Sequence, residues 1–315
     1  MGAPIRQAML MAAGLGTRLR PFTDQVPKAL LPVMGVPMAQ FALDSLARAG
    51  VTRVVANVHH LAPIARAGLL ALERPASMEI IISDESGLLL GSAGGLREAL
   101  PYFGGEPFYL VNADVICDVD LAALGRAHLR RRTQWGAALT LAVCPQAPPG
   151  SAYREILVDP AEGRVIGFAP HAHERPFFIG SAVIEPDALA RVPREGAAEF
   201  VPTILEPAIA EGRACAALTR PRWHDVGSPA LWLDAHLALI EALETGALSR
   251  GLRERIESRA RRLADRVWGE IGARELAFPA PPSFVGSAAG YRVTPHAISY
   301  GGMSWAHPVA DPSAH

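Results

Sequence analysis

The chain is 315 residues long and half of them are hydrophobic, enough for one large domain with an appendage or for two small ones. Lys and Arg total 30 against 31 Asp and Glu, so no whole-protein field draws the chain to nucleic acid or to an acidic membrane, and a small-molecule ligand fits the balance better. Three widely separated cysteines, Cys117, Cys144 and Cys215, follow no metal spacing. With no secretory start and no apolar run of about 18 residues, they predict a cytoplasmic protein with buried thiols and no membrane span.

In chain order, the apolar run Ala8 to Ala12 predicts a buried strand, followed by a helix over Met38 to Ala49 and a strand over Arg53 to Val58. A helix over Ile64 to Leu72, a strand over Met78 to Ser83, a helix over Gly94 to Leu100, a strand over Phe108 to Asn112 and a helix over Leu121 to Arg131 come next. This alternation implies an α/β, Rossmann-like, doubly wound and mostly parallel sheet with helices on both faces. Ligands of such sheets sit at the carboxyl ends of strands, where Gly14 to Arg18 and Asn112 to Asp114 fall.

Strands over Ala137 to Val143, Glu155 to Val158, Val165 to Phe168 and Phe177 to Ile184 make a small β-rich subregion, with a hairpin signal at Asp159 to Gly163. A helix over Phe200 to Ala210, a strand over Ala214 to Thr219 and a helix over Pro229 to Leu243 follow, the last with Leu231, Leu233, Leu237 and Ile240 on or near one face. The reading gives a first domain over 5–245, a basic amphipathic extension over 246–270 and a Pro/Gly-rich, partly disordered tail over 271–315. In the extension Leu248, Leu252, Ile256, Leu263 and Val267 recur at helical spacing among Arg250, Arg253, Arg255, Arg259, Arg261, Arg262 and Arg266. Glu254, Glu257 and Asp265 dilute that charge, which favours a helix packed on its own domain or on a second subunit, a route to a homo-oligomer, over a membrane or nucleic-acid stripe.

The stretch Met11 to Pro21, with Pro27 to Val33, reads as a loop for a triphosphate. Gly14 and Gly16 let the backbone turn and bring N–H groups to an anion, and Arg18 and Lys28 add fixed charge. A Walker loop is absent, and Leu19 stands where a dinucleotide fingerprint needs its third small residue. Alone, the Gly-x-Gly also fits an ordinary strand-to-helix turn, Asp114 a cap or turn aspartate, Lys28 and Arg18 surface cations, and Gly91 to Gly95 a helix entry with Ser92 as N-cap. His59 and His60 follow a strand, where neighbours face opposite sides, so they make no metal pair.

Together these residues resemble the sugar-nucleotidyltransferase family, whose members join a nucleoside triphosphate to a sugar 1-phosphate. The pattern is matched from Met9 to Val33 and continues through Leu90 to Leu96, Asn112-Ala113-Asp114 and Trp223 to Pro229, covering roughly residues 5 to 240. The resemblance implies nucleotide contacts at Ala12, Ala13, Gly14, Gly16, Thr17, Arg18, Lys28, Gly91, Ser92, Gly94, Gly95 and Asn112. It also implies sugar contacts at Asp114, Gly180 and Asp225, Mg²⁺ on Asp114 and Asp225, and chemistry carried by Arg18, Lys28, Asp114 and Asp225. A sugar phosphate is an anionic nucleophile that needs no general base, so cations and carboxylates replace a nucleophile–base pair.

The runs Asn57 to Leu61 and Ile82 to Glu85 resemble the mannose-1-phosphate guanylyltransferase and N-acetylmuramate-1-phosphate uridylyltransferase branch, with the former the leading expectation. Glucose 1-phosphate, a phosphocholine-type acceptor and a catalytically silent regulatory subunit are the alternatives. Two departures stand out: Ala169-Pro170-His171 replaces a Glu-Lys-Pro whose lysine holds the sugar phosphate, and Leu89 replaces a uracil-reading Gln. Lys28, Arg154, Arg175, His171 or His173 must then supply the missing charge, or the acceptor is held differently. Because every motif precedes Thr245, the segment after it is expected to be dispensable for chemistry.

Overall fold

The computed structural model describes residues 3–148, 153–169 and 175–256 and, further on, 286–288, 291–294, 297–300 and 303–306. Four apolar runs, β1 (Gln7–Met11), then β4 (Arg53–Val58), β5 (Glu79–Asp84) and β6 (Phe108–Asn112), pair in parallel in the order β6-β1-β4-β5. Residues that alternate along β1 divide between two apolar clusters, Ala8 and Leu10 in one and Met9 in the other. Both faces of this half are therefore covered, which is why its strands read as unbroken apolar runs. Between them lie the short hairpin β2 (Pro32–Val33) and β3 (Val36–Pro37), and the helices α1 (Met38–Arg48), α2 (Ala62–Ala71) and α3 (Gly91–Ala99).

The other half of the nine-stranded sheet is mixed. After β7 (Val115–Cys117) and α4 (Leu121–Trp135) come β8 (Leu139–Cys144), β9 (Glu155–Val158), β10 (Val165–Ala169) and β11 (Phe177–Ile184). Strand β11 runs antiparallel to both β6 and β8, and β10 and β9 pair antiparallel at the edge. Helix α4 starts where the Asp120 carboxylate accepts the Ala123 N–H at 2.8 Å, and stops at Gly136 with φ 64°. Beyond it, α5 (Glu206–Ala210) leads to β12 (Ala214–Leu218), parallel to β8, and β13 (Trp223–Asp225) leaves the main sheet to pair antiparallel with β7.

Three local expectations change. The helix expected over Phe200 to Ala210 opens as a π-turn over Val201–Leu205, because Pro202 and Pro207 carry no N–H for the regular ladder. Helix α3 begins at Gly91, three residues earlier than expected. On α6 (Pro229–Glu244), Leu231 is 36% exposed, and the buried side chains are Trp232, Leu233, Ala235, His236, Leu239 and Ala242. Of the expected face, Leu233 is buried and Leu237 and Ile240 pack against the core, so only Leu231 departs, while Trp232 adds an anchor through its indole N–H on the Pro32 carbonyl at 2.8 Å.

The chain does not leave the core at Thr245. Leu248, Leu252 of α7 (Arg250–Glu254) and Ile256 belong to the same cluster as α1 and α6. Arg255, 6% exposed, is held by both Asp44 oxygens at 2.5 Å and by Glu73 at 2.7 Å. Leu252→Ala is expected to cost about 2–5 kcal/mol of unfolding free energy, read from denaturant titration. A loss inside error would mean that this turn is only laid on the surface. Leu263, Val267 and Arg259, Arg261, Arg262 and Arg266 lie outside the described residues.

Further on, β14 (Gly286–Ala288), β15 (Tyr291–Thr294), β16 (Ala297–Tyr300) and β17 (Met303–Ala306) form an antiparallel meander, with Ile298 buried in the main cluster. Ser283-Phe284-Val285-Gly286 suggests a β-helix coil, but coils stack in parallel, and the short links here permit only hairpins. Ser283 to Val285 lie outside the described residues. No helix among the described residues is long and apolar enough to cross a membrane.

Candidate functional site

The loop after β1 is shaped from two sides. Gly16 adopts φ +63°, and a Cβ there would lie 2.7 Å from the Thr23 methyl and 3.2 Å from Lys28 Cβ, so only glycine lets the loop fold against the Lys28 segment. The Thr23 hydroxyl donates to the Gly16 carbonyl at 2.8 Å and fixes that fold. Gly14, Thr17 and Arg18 are exposed, and nothing lies within 4 Å of a Cβ at Gly14. Ala12 and Ala13 are different. Both are buried, and their N–H groups go to the Asn57 side-chain oxygen at 2.8 and 3.3 Å, so these two donors anchor the loop to β4.

Asn57 in turn donates to Glu85 at 3.0 Å. Glu85 is 4% exposed, and its second carboxyl oxygen has no hydrogen-bond partner among the described residues. Burial pushes this carboxyl above the ordinary carboxylate range, opposed by the Asn57 hydrogen bond. The folded state thus holds the Glu85 proton more tightly than the unfolded chain does. Stability from this group is full below the unfolded-state value and is lost as pH rises through the folded-state one. Glu85→Gln cannot ionise, so its melting temperature relative to the parent is expected to rise as pH increases from the ordinary glutamate range upward. A gap that stays constant over that increase would remove the burial argument.

The glycines of α3 answer to protein neighbours. A Cβ at Gly91, where φ is +72°, would lie 2.6 Å from the Ala198 carbonyl, and one at Gly95 would lie 2.8 Å from both Asn57 Nδ2 and Glu85 Oε1. A Cβ at Gly94 would meet Leu90 Cβ at 2.9 Å. Ser92 lies inside the first turn and does not cap it; its hydroxyl donates to Glu199 at 2.6 Å and accepts the Phe200 N–H at 2.8 Å.

Two carboxylates meet at the end of β6. Asp114 lies in the turn between β6 and β7, so it is not a helix cap, and its carbonyl accepts the Val226 N–H at 3.2 Å. Asp225 pairs with Val115 across the β7–β13 ladder, which brings it beside the turn that carries Asp114, although the two are far apart in the chain. Lys28, 8% exposed, places Nζ 2.5 Å from Asp114 Oδ2. The Tyr153 hydroxyl donates to Asp225 Oδ2 at 2.5 Å, and burial, then that carboxylate, push the phenol well above its ordinary value. Arg18 reaches the same corner without pairing with Asp225: a Cβ at Gly227 would lie 2.8 Å from Arg18 Nη2 and 3.1 Å from Asp225 Oδ2. Asn112 packs against Gly180, whose absent side chain, at φ +81°, leaves room for the Asn112 amide 2.9 Å away.

Asn57, Glu85, Tyr153 and Glu199 escaped the sequence reading as site residues. Asn57 and Glu85 stand inside runs used only for branch resemblance, and Tyr153 carries no motif of its own. Of the residues offered for the missing lysine, Arg154 lies 3.6 Å over the Phe168 ring and pairs with Glu206 at 3.3 Å, and Arg175 is exposed. Lys28 is on Asp114, and His171 and His173 lie outside the described residues. His59 and His60 donate to separate backbone carbonyls, those of Glu85 and Thr23.

A carboxylate in the β6–β7 turn and one on β13 suit a hard divalent cation, which takes one or two protein carboxylates and completes its shell with water and phosphate oxygens. The arrangement offers cations and backbone turns for phosphates and carboxylates for a metal.

Comparison with known proteins agrees with this geometry. The chain is 32% identical over 241 residues to the N-acetylmuramate alpha-1-phosphate uridylyltransferase of Caulobacter vibrioides, covering 75% of this chain and 97% of that protein. It is 29% identical over 259 residues to a probable mannose-1-phosphate guanylyltransferase 2 of Oryza sativa subsp. japonica, covering 78% of this chain and 67% of the relative. The inositol-1-phosphate CTP transferase of T. maritima shares the fold, with a TM-score of 0.59 at 19% identity over 85% of this chain and 98% of that one. The nucleotidyl transferase family profile matches residues 7–242, three quarters of the sequence and all of the site just described, and the chain is a member of that family of enzymes.

Proposed function

We propose that the protein transfers a nucleoside monophosphate from a nucleoside triphosphate to a hexose 1-phosphate, releasing pyrophosphate. The observation that carries this reading is the meeting of Lys28, Arg18, Asp114 and Asp225 at the carboxyl ends of β1 and β6. The acceptor phosphate oxygen attacks the α-phosphorus while pyrophosphate departs in line. Two anions must come together, so alignment and charge neutralisation dominate the barrier. The turn at Gly16 presents the loop to the triphosphate, Arg18 takes the β- and γ-phosphates, and Lys28 reaches the phosphates between loop and acceptor. Asp114 and Asp225 would hold Mg²⁺, which when bound neutralises charge shared by the α-phosphate and the acceptor phosphate. Asn57 and Glu85 keep the loop in register.

Two substrate pairs are taken first, in an order that the coverage of the relatives supports. The uridylyltransferase is matched over nearly its whole length and the guanylyltransferase over two thirds, which favours UTP with N-acetylmuramate 1-phosphate, followed by GTP with mannose 1-phosphate. The deciding experiment sets four nucleoside triphosphates against a panel of sugar 1-phosphates and phosphocholine, scored by pyrophosphate release with Mg²⁺. Release that requires one sugar 1-phosphate supports the reading. Preference for phosphocholine would change the acceptor class, and nucleotide-sugar binding without release from any pair would favour a regulatory subunit.

A further inference from the structure

Both carboxylates are already occupied by proton donors. Lys28 Nζ stands 2.5 Å from Asp114 Oδ2, and the Tyr153 hydroxyl stands 2.5 Å from Asp225 Oδ2. The lysine side chain is only 10% exposed, so its charge is balanced mainly by Asp114 and little by water. With Arg18 in the same corner, the charges of Lys28 and Arg18 match in number those of the two carboxylates. A divalent ion arriving alone meets no excess negative charge, and an ammonium sits where it must bind. Among the described residues no group of three or more His, Cys, Asp or Glu offers a better shell.

The two donors differ in freedom. The Tyr153 ring is packed between Phe177 and Trp223, with centroids 5.3 and 5.2 Å away, so its hydroxyl is set by packing and orients Asp225. Lys28 has a flexible stem and a charge that a triphosphate can attract. We propose that Lys28 is an exchangeable gate on Asp114: it closes the cation site in the free protein and opens it by moving to an incoming triphosphate, so cation and triphosphate bind as a cooperative pair. The inference rests on the nucleotidyl-transfer reading of the site and adds an order of events to it. Coupling of this kind is reciprocal, so a bound cation also strengthens triphosphate binding by driving Lys28 off Asp114.

The test uses the full chain and two probes that need no knowledge of base or sugar. Mn²⁺ alone is followed by the free-ion electron paramagnetic resonance signal, and inorganic triphosphate is followed by calorimetry with the metal chelated. Lys28→Met is expected to bind Mn²⁺ at least about tenfold more tightly than the parent, and triphosphate at least about tenfold more weakly. Adding Asp114→Asn should abolish the gain. Lys28→Gln, which keeps a polar head without the charge, should behave like Lys28→Met and covers the case in which the apolar replacement misfolds. Unchanged or weaker Mn²⁺ binding in the folded lysine variants would overturn the gate, as would a gain that survives Asp114→Asn. Failure of the parent to bind triphosphate would instead sink the functional reading, with the Mn²⁺ comparison still deciding whether Lys28 blocks a cation site.

Discussion

Asp114→Asn is expected to lower turnover at least about a hundredfold at saturating Mg²⁺, equivalent to about 2.7 kcal/mol of transition-state stabilisation. The amide keeps an oxygen that can accept from Lys28, so the fold should stand while the charge that a hard cation needs is gone. Asp225→Asn should act likewise, since its oxygen still accepts from Tyr153 and its backbone stays in the β7–β13 ladder. Steady-state pyrophosphate release, with circular dichroism as the folding control, separates the two effects. Kinetics like those of the parent in either variant would remove that carboxylate from the reaction.

Lys28→Ala is expected to lower kcat/KM by about ten- to a hundredfold, the scale of one charge-assisted hydrogen bond to a phosphate. Lys28→Arg should recover little of it. The lysine is almost fully enclosed, and its Cβ lies where Gly16 leaves just enough room, so a longer planar fork cannot occupy the same path. The alanine variant should therefore lose activity even though removing the ammonium frees Asp114 for a cation. Equal kcat/KM in the parent and both variants would leave Lys28 its ion pair with Asp114 and remove it from the reaction.

The parallel half of the sheet was legible in the sequence because its strands are buried on both faces, and composition alone marks such runs. Element ends were less legible. Helix α3 starts inside a glycine-rich run that looks like a loop, and only the contact of Gly91 with Ala198 shows why it turns there. The face of α6 was legible in part: Leu233, Leu237 and Ile240 meet the core as expected, but Leu231 is exposed and the burial of Trp232 and His236 carried no signal in a count of leucines. In the site, the loop and each aspartate could be named, but resemblance alone brought Asp114 and Asp225 together, since β7 and β13 pair across a separation that no local pattern encodes. Tyr153, Asn57 and Glu85 were invisible as site residues for the same reason: each acts through a partner distant in sequence.

The β7–β13 ladder also bears on how the protein is made. A chain growing from the ribosome releases the phosphate loop and Asp114 early, but the strand that pairs with β7 emerges only near the end of the matched region. Until then β7 has an open edge, and the face of α1 lacks the cover later given by α6 and by Leu248, Leu252 and Ile256. Synthesis stopped before that point is expected to leave Asp114 without the strand that carries Asp225, and the apolar face of α1 open to solvent.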